Sequence, residues 1–229
     1  MKHGAGSLVL ALALGALALP AAAADAQGDW AIVGYLPSDV GFHPDEVPVR
    51  PAPGGFALTV VDGLWHLVPA TLASHVDGTD SNGTQQLSVT ATPPGALVYL
   101  RLPELVAGKV DTPDMRFKGV DRLINGTTTV GVPFTGVPWR FEHKAGTSTL
   151  TDGTHHQVVA QAPERPETDG EADEHSVRLI WAGDLDHDGK LDFIIDDWFD
   201  DGGRMCVWLS SRAAPGQLAV EAGCMNRTY

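Results

Sequence analysis

Turn dipeptides recur along this chain and cut its apolar residues into runs too short for helices. The sequence holds 26 glycines and 16 prolines among 229 residues, and both residue types interrupt regular helix. Residues 56–61 (FALTVV) and 64–72 (LWHLVPATL) flank Asp62-Gly63. Two β-capable runs around Asp-Gly are the strongest short-range hairpin signal. Residues 85–92 place Leu87, Val89 and Ala91 on one side, and Pro93-Pro94-Gly95 then turns the chain into 96–102 (ALVYLRL). Residues 147–150 and 155–160 predict another hairpin around Asp152-Gly153, with weaker strands at 127–132 and 137–143. No amphipathic pattern of roughly 11 or more residues marks a helix. Residues 102–106 suffice for a single turn.

A composition shift follows. Residues 163–174 read PERPETDGEADE, a polar, acidic stretch of loop or linker character. Four apolar stretches come after it, at 177–182, 191–195, 205–210 and 218–222. They read as an antiparallel meander. Four strands do not easily bury a core alone, so the meander is expected to pack on the N-terminal strands as one domain. The fold class is therefore all-β and mainly antiparallel: a sandwich or barrel-like domain with a C-terminal, blade-like meander. Residues 25–162 form its N-terminal β region, 163–175 an acidic loop, and 176–229 the meander.

The first 24 residues belong to targeting rather than folding. Lys2 and His3 precede an apolar run of 12 residues at 8–19, then Pro20 and four alanines. This is the pattern of a secretory signal peptide. The run is well short of the roughly 20 residues that a spanning helix needs. Cleavage is expected after Ala24, with Ala23 and Ala26 also meeting the small-residue rule, and the protein should be periplasmic or secreted. Cys206 and Cys224 could pair there, or remain as two buried thiols. Pairing would contribute about 3 kcal/mol in the chain-entropy model.

Acids outnumber bases 29 to 15, a net charge of −14. That balance argues against nucleic acid or an anionic membrane surface as partner. It allows a cation. Residues 164–201 hold 14 of the acids and three bases, a net of −11.

Within that stretch lies Gly183-Asp184-Leu185-Asp186-His187-Asp188-Gly189-Lys190-Leu191-Asp192. Counting from Asp184, aspartates occupy positions 1, 3, 5 and 9, and Gly189 occupies position 6. Calcium takes roughly six to eight oxygens at about 2.3–2.6 Å. A short loop can wrap it when alternate side chains point inward and a glycine permits the sharp turn. Asp184, Asp186 and Asp188 supply the alternation. The Lys190 carbonyl would fill position 7, and Asp192 would close the shell directly or through water. Two like charges about 5 Å apart cost roughly 3 kcal/mol at an effective dielectric near 20. A divalent ion converts that repulsion into folding energy. Magnesium fits less well, because it prefers a tight octahedron and keeps its waters.

Position 12, where an EF-hand needs glutamate, is Ile195, and the flanks are β-rich. The stretch WAGDLDHDGKLDFII instead resembles the FG-GAP (VCBS-type) repeats of secreted bacterial proteins and integrin-type propellers. That resemblance implies a D-x-D-x-D-G-x-x-D loop joining two blade strands and holding calcium. It implies Asp184, Asp186, Asp188, Lys190 (through its carbonyl) and Asp192 as ligands. Only one copy is present, so a full propeller is not expected. The chain also resembles uncharacterised exported bacterial proteins with one such loop near the C-terminus, ending in a stretch like WLSSRAAPGQL (208–218). That likeness implies no activity.

Other patterns carry less. Asp196-Asp197-Trp198 and the acids after them suit an acidic hairpin tip, a second cation site or an exposed aromatic loop. His155-His156 are adjacent, so on a strand they face opposite ways and share a metal poorly. The six tryptophans could form a sugar-stacking platform, although core placement is commoner. There is no nucleophile elbow, P-loop or dinucleotide fingerprint. Acid pairs for glycoside hydrolysis need only meet in space. The main reading is a non-catalytic, calcium-stabilised β protein. The alternatives are a polysaccharide-binding module or hydrolase, and a calcium-dependent adhesion module. A protein or glycan partner is not specified.

Overall fold

The computed structural model describes residues 32–33, 42–44, 54–79, 81–113, 123–124, 128–162, 175–199 and 202–228. Residues 1–24, where a signal peptide is expected, and the acidic segment 163–174 lie outside them. No helix occurs among the described residues, and the strands pair antiparallel.

The N-terminal region contains β1 (Ile32–Val33), β2 (Gly55–Val61), β3 (Leu64–Thr79), β4 (Gln85–Thr92), β5 (Val98–Leu100) and β6 (Gly108–Lys109). They form one sheet in the order β1-β5-β2-β3-β4, with β6 against β3. A short β7 (Leu123–Ile124) precedes β8 (Thr128–Phe134), β9 (Val137–Lys144), β10 (Thr147–Thr151) and β11 (His156–Gln161). The last four make a separate meander, β11-β10-β9-β8. The C-terminal strands are β12 (Ser176–Gly183), β13 (Asp192–Phe199), β14 (Gly202–Leu209) and β15 (Val220–Thr228). With β7 they form the third sheet, β15-β14-β13-β12-β7. The chain is thus all-β, built as stacked antiparallel sheets.

Turn chemistry sets the hairpins. Asp62 (φ 50°) and Gly63 (φ 79°) are both left-handed, the conformation that matches the twist of the flanking strands. Thr135-Gly136 and Ala145-Gly146 adopt the same pair of angles. These two turns convert the weaker strand candidates into β8 and β9, joined in register to β10. Threonine or alanine before glycine gives little sign of a left-handed turn, which explains their weak signal. β3 runs to Thr79, beyond the expected end at 72, because it changes partner midway. Its residues 64–70 pair with β2 and 71–79 with β4.

The C-terminal sheet is buried on both faces. Phe193 and Ile195 of β13 join Val132, Phe134, Trp139, Phe141 and Leu150 in one apolar cluster. Ile194, between them, joins Leu58, Leu67, Leu87 and Leu100 in another. Successive strand residues point to opposite faces, so β13 carries a core on each side. This accounts for the continuous apolar runs VRLIWA and LDFII, where a half-exposed strand would alternate. Trp65 and Trp181 meet edge to face at 6.3 Å across the first cluster. Each fully buried large side chain contributes roughly 1.5–3 kcal/mol.

Specific links supplement the apolar contact. The Gln157 side chain on β11 behaves like a strand edge towards the loop before β15. Its Oε1 accepts from Leu218 N–H (2.7 Å) and Ala219 N–H (3.2 Å), and its Nε2 donates to the Ala219 carbonyl (2.6 Å). Arg212 in the same loop makes a two-pronged contact with Glu104, at 2.7 and 2.9 Å. The disulfide Cys206–Cys224 is formed, joining directly opposed residues of β14 and β15.

Gly183 ends β12 where two sheets touch. A Cβ there would lie 2.6 Å from the Asp111 carbonyl oxygen and 2.4 Å from the Trp181 ring. Gly183→Ala should therefore destabilise the fold by about 1–3 kcal/mol through overpacking, measured by chemical denaturation. An unchanged midpoint would contradict this close approach.

Candidate metal centre

The connection between β12 and β13, residues 184–191, is the aspartate loop. It folds around its own first carboxylate. Asp184 Oδ1 accepts from Asp188 N–H and Oδ2 from Gly189 N–H, both at 3.0 Å. Asp186 Oδ1 accepts from Asp188 N–H at 3.3 Å, and Asp188 Oδ1 accepts from Lys190 N–H at 2.8 Å. Such two-residue links are Asx turns, the local preference of aspartate. Gly189 has φ +82°, so the sharp turn falls at the residue best able to make it. His187 is also left-handed, at φ 62°. Its Nε2–H donates to the Lys109 carbonyl at 2.9 Å.

The outcome is a convergence. Asp184, Asp186 and Asp188 present carboxylate oxygens within 4.8 Å of one another. Asp184 is buried, Asp186 half-buried and Asp188 exposed, so the group opens towards solvent on one side. Lys190 does not neutralise it closely, since its Nζ lies 3.6 Å from Asp188 Oδ2 on an exposed side chain.

Asp192 is placed differently. It is fully buried and does not share the three-carboxylate group. Its Oδ2 accepts from Leu185 N–H at 2.7 Å. Its Oδ1 accepts from Ser210 N–H at 2.8 Å and Ser210 Oγ–H at 3.0 Å. Burial pushes the Asp192 carboxyl up to about 8, and the Asp186 charge adds to the rise, against the Ser210 and Leu185 donors. Burial likewise raises Asp184, opposed by the Gly189 N–H and reinforced by the charges of Asp188 and Asp186. Like charges and a dry surrounding both disfavour ionisation. The loop therefore holds negative charge where a proton or a cation would relieve it.

Several contributors come from outside the motif. Ser210 Oγ also lies 3.1 Å from both Asp188 oxygens, and the Ser211 hydroxyl donates to Asp186. These serines belong to the stretch 208–218, in which no residue pattern points to the loop. Just after β6, Asp111 forms an isolated bridge with Asp184, whose N–H donates to the Asp111 carbonyl at 2.8 Å. Lys109 Nζ lies 3.0 Å from Asp111 Oδ1. Nothing in the sequence connects residues 109–111 with a loop more than seventy positions away.

The other candidates sit elsewhere. Asp196, Asp197 and Trp198 belong to β13 rather than to a hairpin tip, while Asp200 and Asp201 lie outside the described residues. Asp196 and Asp197 are buried. Asp196 pairs with Arg178 and accepts from Trp198 Nε1–H at 3.0 Å. A sugar-binding or hydrolytic site needs open carboxylates beside an exposed ring, and these acids are enclosed. Trp65, Trp139, Trp181 and Trp208 are core or core-edge residues. His155 and His156 are exposed, and His155 Nδ1 lies 3.0 Å from Asp152. No helix of the described residues is long and apolar enough to cross a membrane.

The elevated Asp192 has a pH consequence. Without metal, its contribution to stability is complete below its ordinary value of 3.8 and is lost as pH rises through about 8. With a chelator present, Asp192→Asn should flatten that part of the stability-against-pH curve relative to the parent. Parallel curves between pH 4 and 8 would contradict the buried acid.

Comparison of the chain with protein-family models, with curated proteins and with solved structures returns no match, so a functional reading rests on the site's own chemistry.

Proposed function

We propose that this is an exported, calcium-binding β protein in which the ion stabilises the loop between β12 and β13, in a structural rather than catalytic role. The observation that carries the reading is the convergence of Asp184, Asp186 and Asp188 on one point. Every donor there is a hard oxygen, which suits calcium and not the softer metals that favour nitrogen or sulfur. The position pattern, the left-handed Gly189 and the resemblance of 181–195 to FG-GAP loops support the same ion.

Asp184, Asp186 and Asp188 would hold it through their side chains and Lys190 through its carbonyl. Asp192 would close the shell. Both Asp192 oxygens already accept from N–H or O–H groups, which favours closure through a bridging water. The ion would supply charge neutralisation, and the two serine hydroxyls would steady the carboxylates around it. The loop also contacts Lys109 of β6 in the N-terminal sheet and Asp111 just after it. Calcium would therefore stiffen a junction between sheets. The leader sequence supports export, and the Cys206–Cys224 disulfide agrees with an oxidising compartment.

The test is thermal unfolding with EDTA and with added calcium. Extracellular calcium modules often bind at about 10⁻⁴–10⁻³ M, so the titration must reach millimolar concentrations. At 100 times the dissociation constant the gain should be about 2.7 kcal/mol. Asp186→Ala should remove the calcium response while the protein stays folded. Equal midpoints with and without calcium in the parent protein would sink the proposal.

A further inference from the structure

One end of the interface between the β8–β11 sheet and the C-terminal sheet is built from ionisable groups. Trp139, Phe141 and His143 alternate along β9 and share a face. The two aromatics lie in the apolar cluster, but the third position is histidine. Ser148 of β10 is directly opposite His143 in register. On β13, Phe193, Ile195 and Asp197 share the facing surface, and again the third position is polar. His143 is 1% exposed, Asp197 3% and His175, just before β12, 5%.

These groups touch in sequence across the interface. His143 Nδ1 lies 2.9 Å from Ser148 Oγ. The His143 and His175 rings are 5.9 Å apart between centroids, tilted by 49°. His175 Nε2–H donates to Asp197 Oδ1 at 2.7 Å. Behind Asp197, Arg204 of β14 approaches its Oδ2 at 3.7 Å and Glu221 of β15 at 3.5 Å. Among the described residues these are the charged or titratable groups on His143's side of the interface. β8 carries none. β10 offers only hydroxyls, and Arg178 of β12 is engaged with Asp196.

The balance of charge decides what an added proton does. Asp197 already faces His175 and Arg204. A proton on His143 would add charge about 6 Å from the His175 ring, in a site closed to water. Buried charge without a full partner is costly. Burial, and then the neighbouring His175, depress His143 below its ordinary 6.5, with Asp197 pulling the other way.

We propose that His143, His175 and Asp197 form an acid-sensitive latch that holds the β8–β11 sheet on the C-terminal sheet at neutral pH and releases it when His143 takes up a proton. The sign follows from the neutral form being the one that fits. The latch contributes fully above 6.5 and is lost as pH falls below that value. Histidine is the side chain suited to such a change in this range. The aspartate loop lies at the opposite end of the β12–β13 hairpin, so the two sites can be tested separately.

The experiment uses the full chain saturated with calcium, followed by hydrogen exchange at about pH 7.5 and about pH 5.5, corrected for intrinsic rates. Amides of β9 and β10 should exchange about tenfold faster at the lower pH, with β2 and β3 little changed. His143→Gln should keep the same protection at both pH values. An acid response in His143→Gln equal to that of the parent would overturn the latch. An NMR titration of the parent gives a readout independent of the variant's folding. His143 should titrate below 6.5, and titration at or above that value would also overturn the proposal.

Discussion

One buried carboxylate organises the C-terminal half of this protein. Asp192 opens β13 and accepts from Leu185 at the start of the aspartate loop and from Ser210 at the end of β14. The start of the aspartate loop and the residue after β14 are thus both fixed to the oxygen atoms of one side chain. Further ties spread from those segments. Asp184 reaches Asp111, Arg212 reaches Glu104, and Gln157 reaches residues 218 and 219. Each joins the C-terminal sheet to one of the other two. Because such an acid is costly to ionise when enclosed, the same arrangement creates a demand for positive charge nearby.

The C-terminal sheet answers two requirements at once. Its strands must be apolar on both faces to support a core on each side. They must also place polar groups where function or specificity needs them. The compromise is positional. The apolar residues occupy the middle of the β12–β13 hairpin, and polar clusters occupy its ends. The turn end holds Asp184, Asp186 and Asp188. The other end holds Asp197 with His175, facing His143. Local departures from an otherwise consistent pattern are where functional sites are expected.

Much of the fold was legible in the chain. Glycine-containing turns and short β-capable runs located most strands, because left-handed turn residues and two-residue periodicity are local properties. The hairpin at Asp62-Gly63 is an example. Thr135-Gly136 was harder to read, since threonine does not favour the conformation that it adopts there. The length of β3 could not be read at all, because it depends on two successive partners. At the site, the alternation of Asp184, Asp186 and Asp188 was visible through loop geometry alone. The burial of Asp196 and Asp197 was not. A run of acids reads as exposed until the arginine and histidine that pair with it are placed in space.

The sequence by itself determined the all-β class, most hairpin positions and an aspartate loop with alternating carboxylates around a glycine turn. All of these rest on interactions within a few residues. Only the tertiary structure decided that Ser210 and Ser211 complete the loop, that Lys109 and Asp111 brace it, and that His143 meets His175. It also assigned Asp192 an inward role, binding backbone and hydroxyl donors. Those outcomes depend on which sheets stack and on how closely. Stacking is set by shape and burial summed over the whole chain, which no local pattern contains.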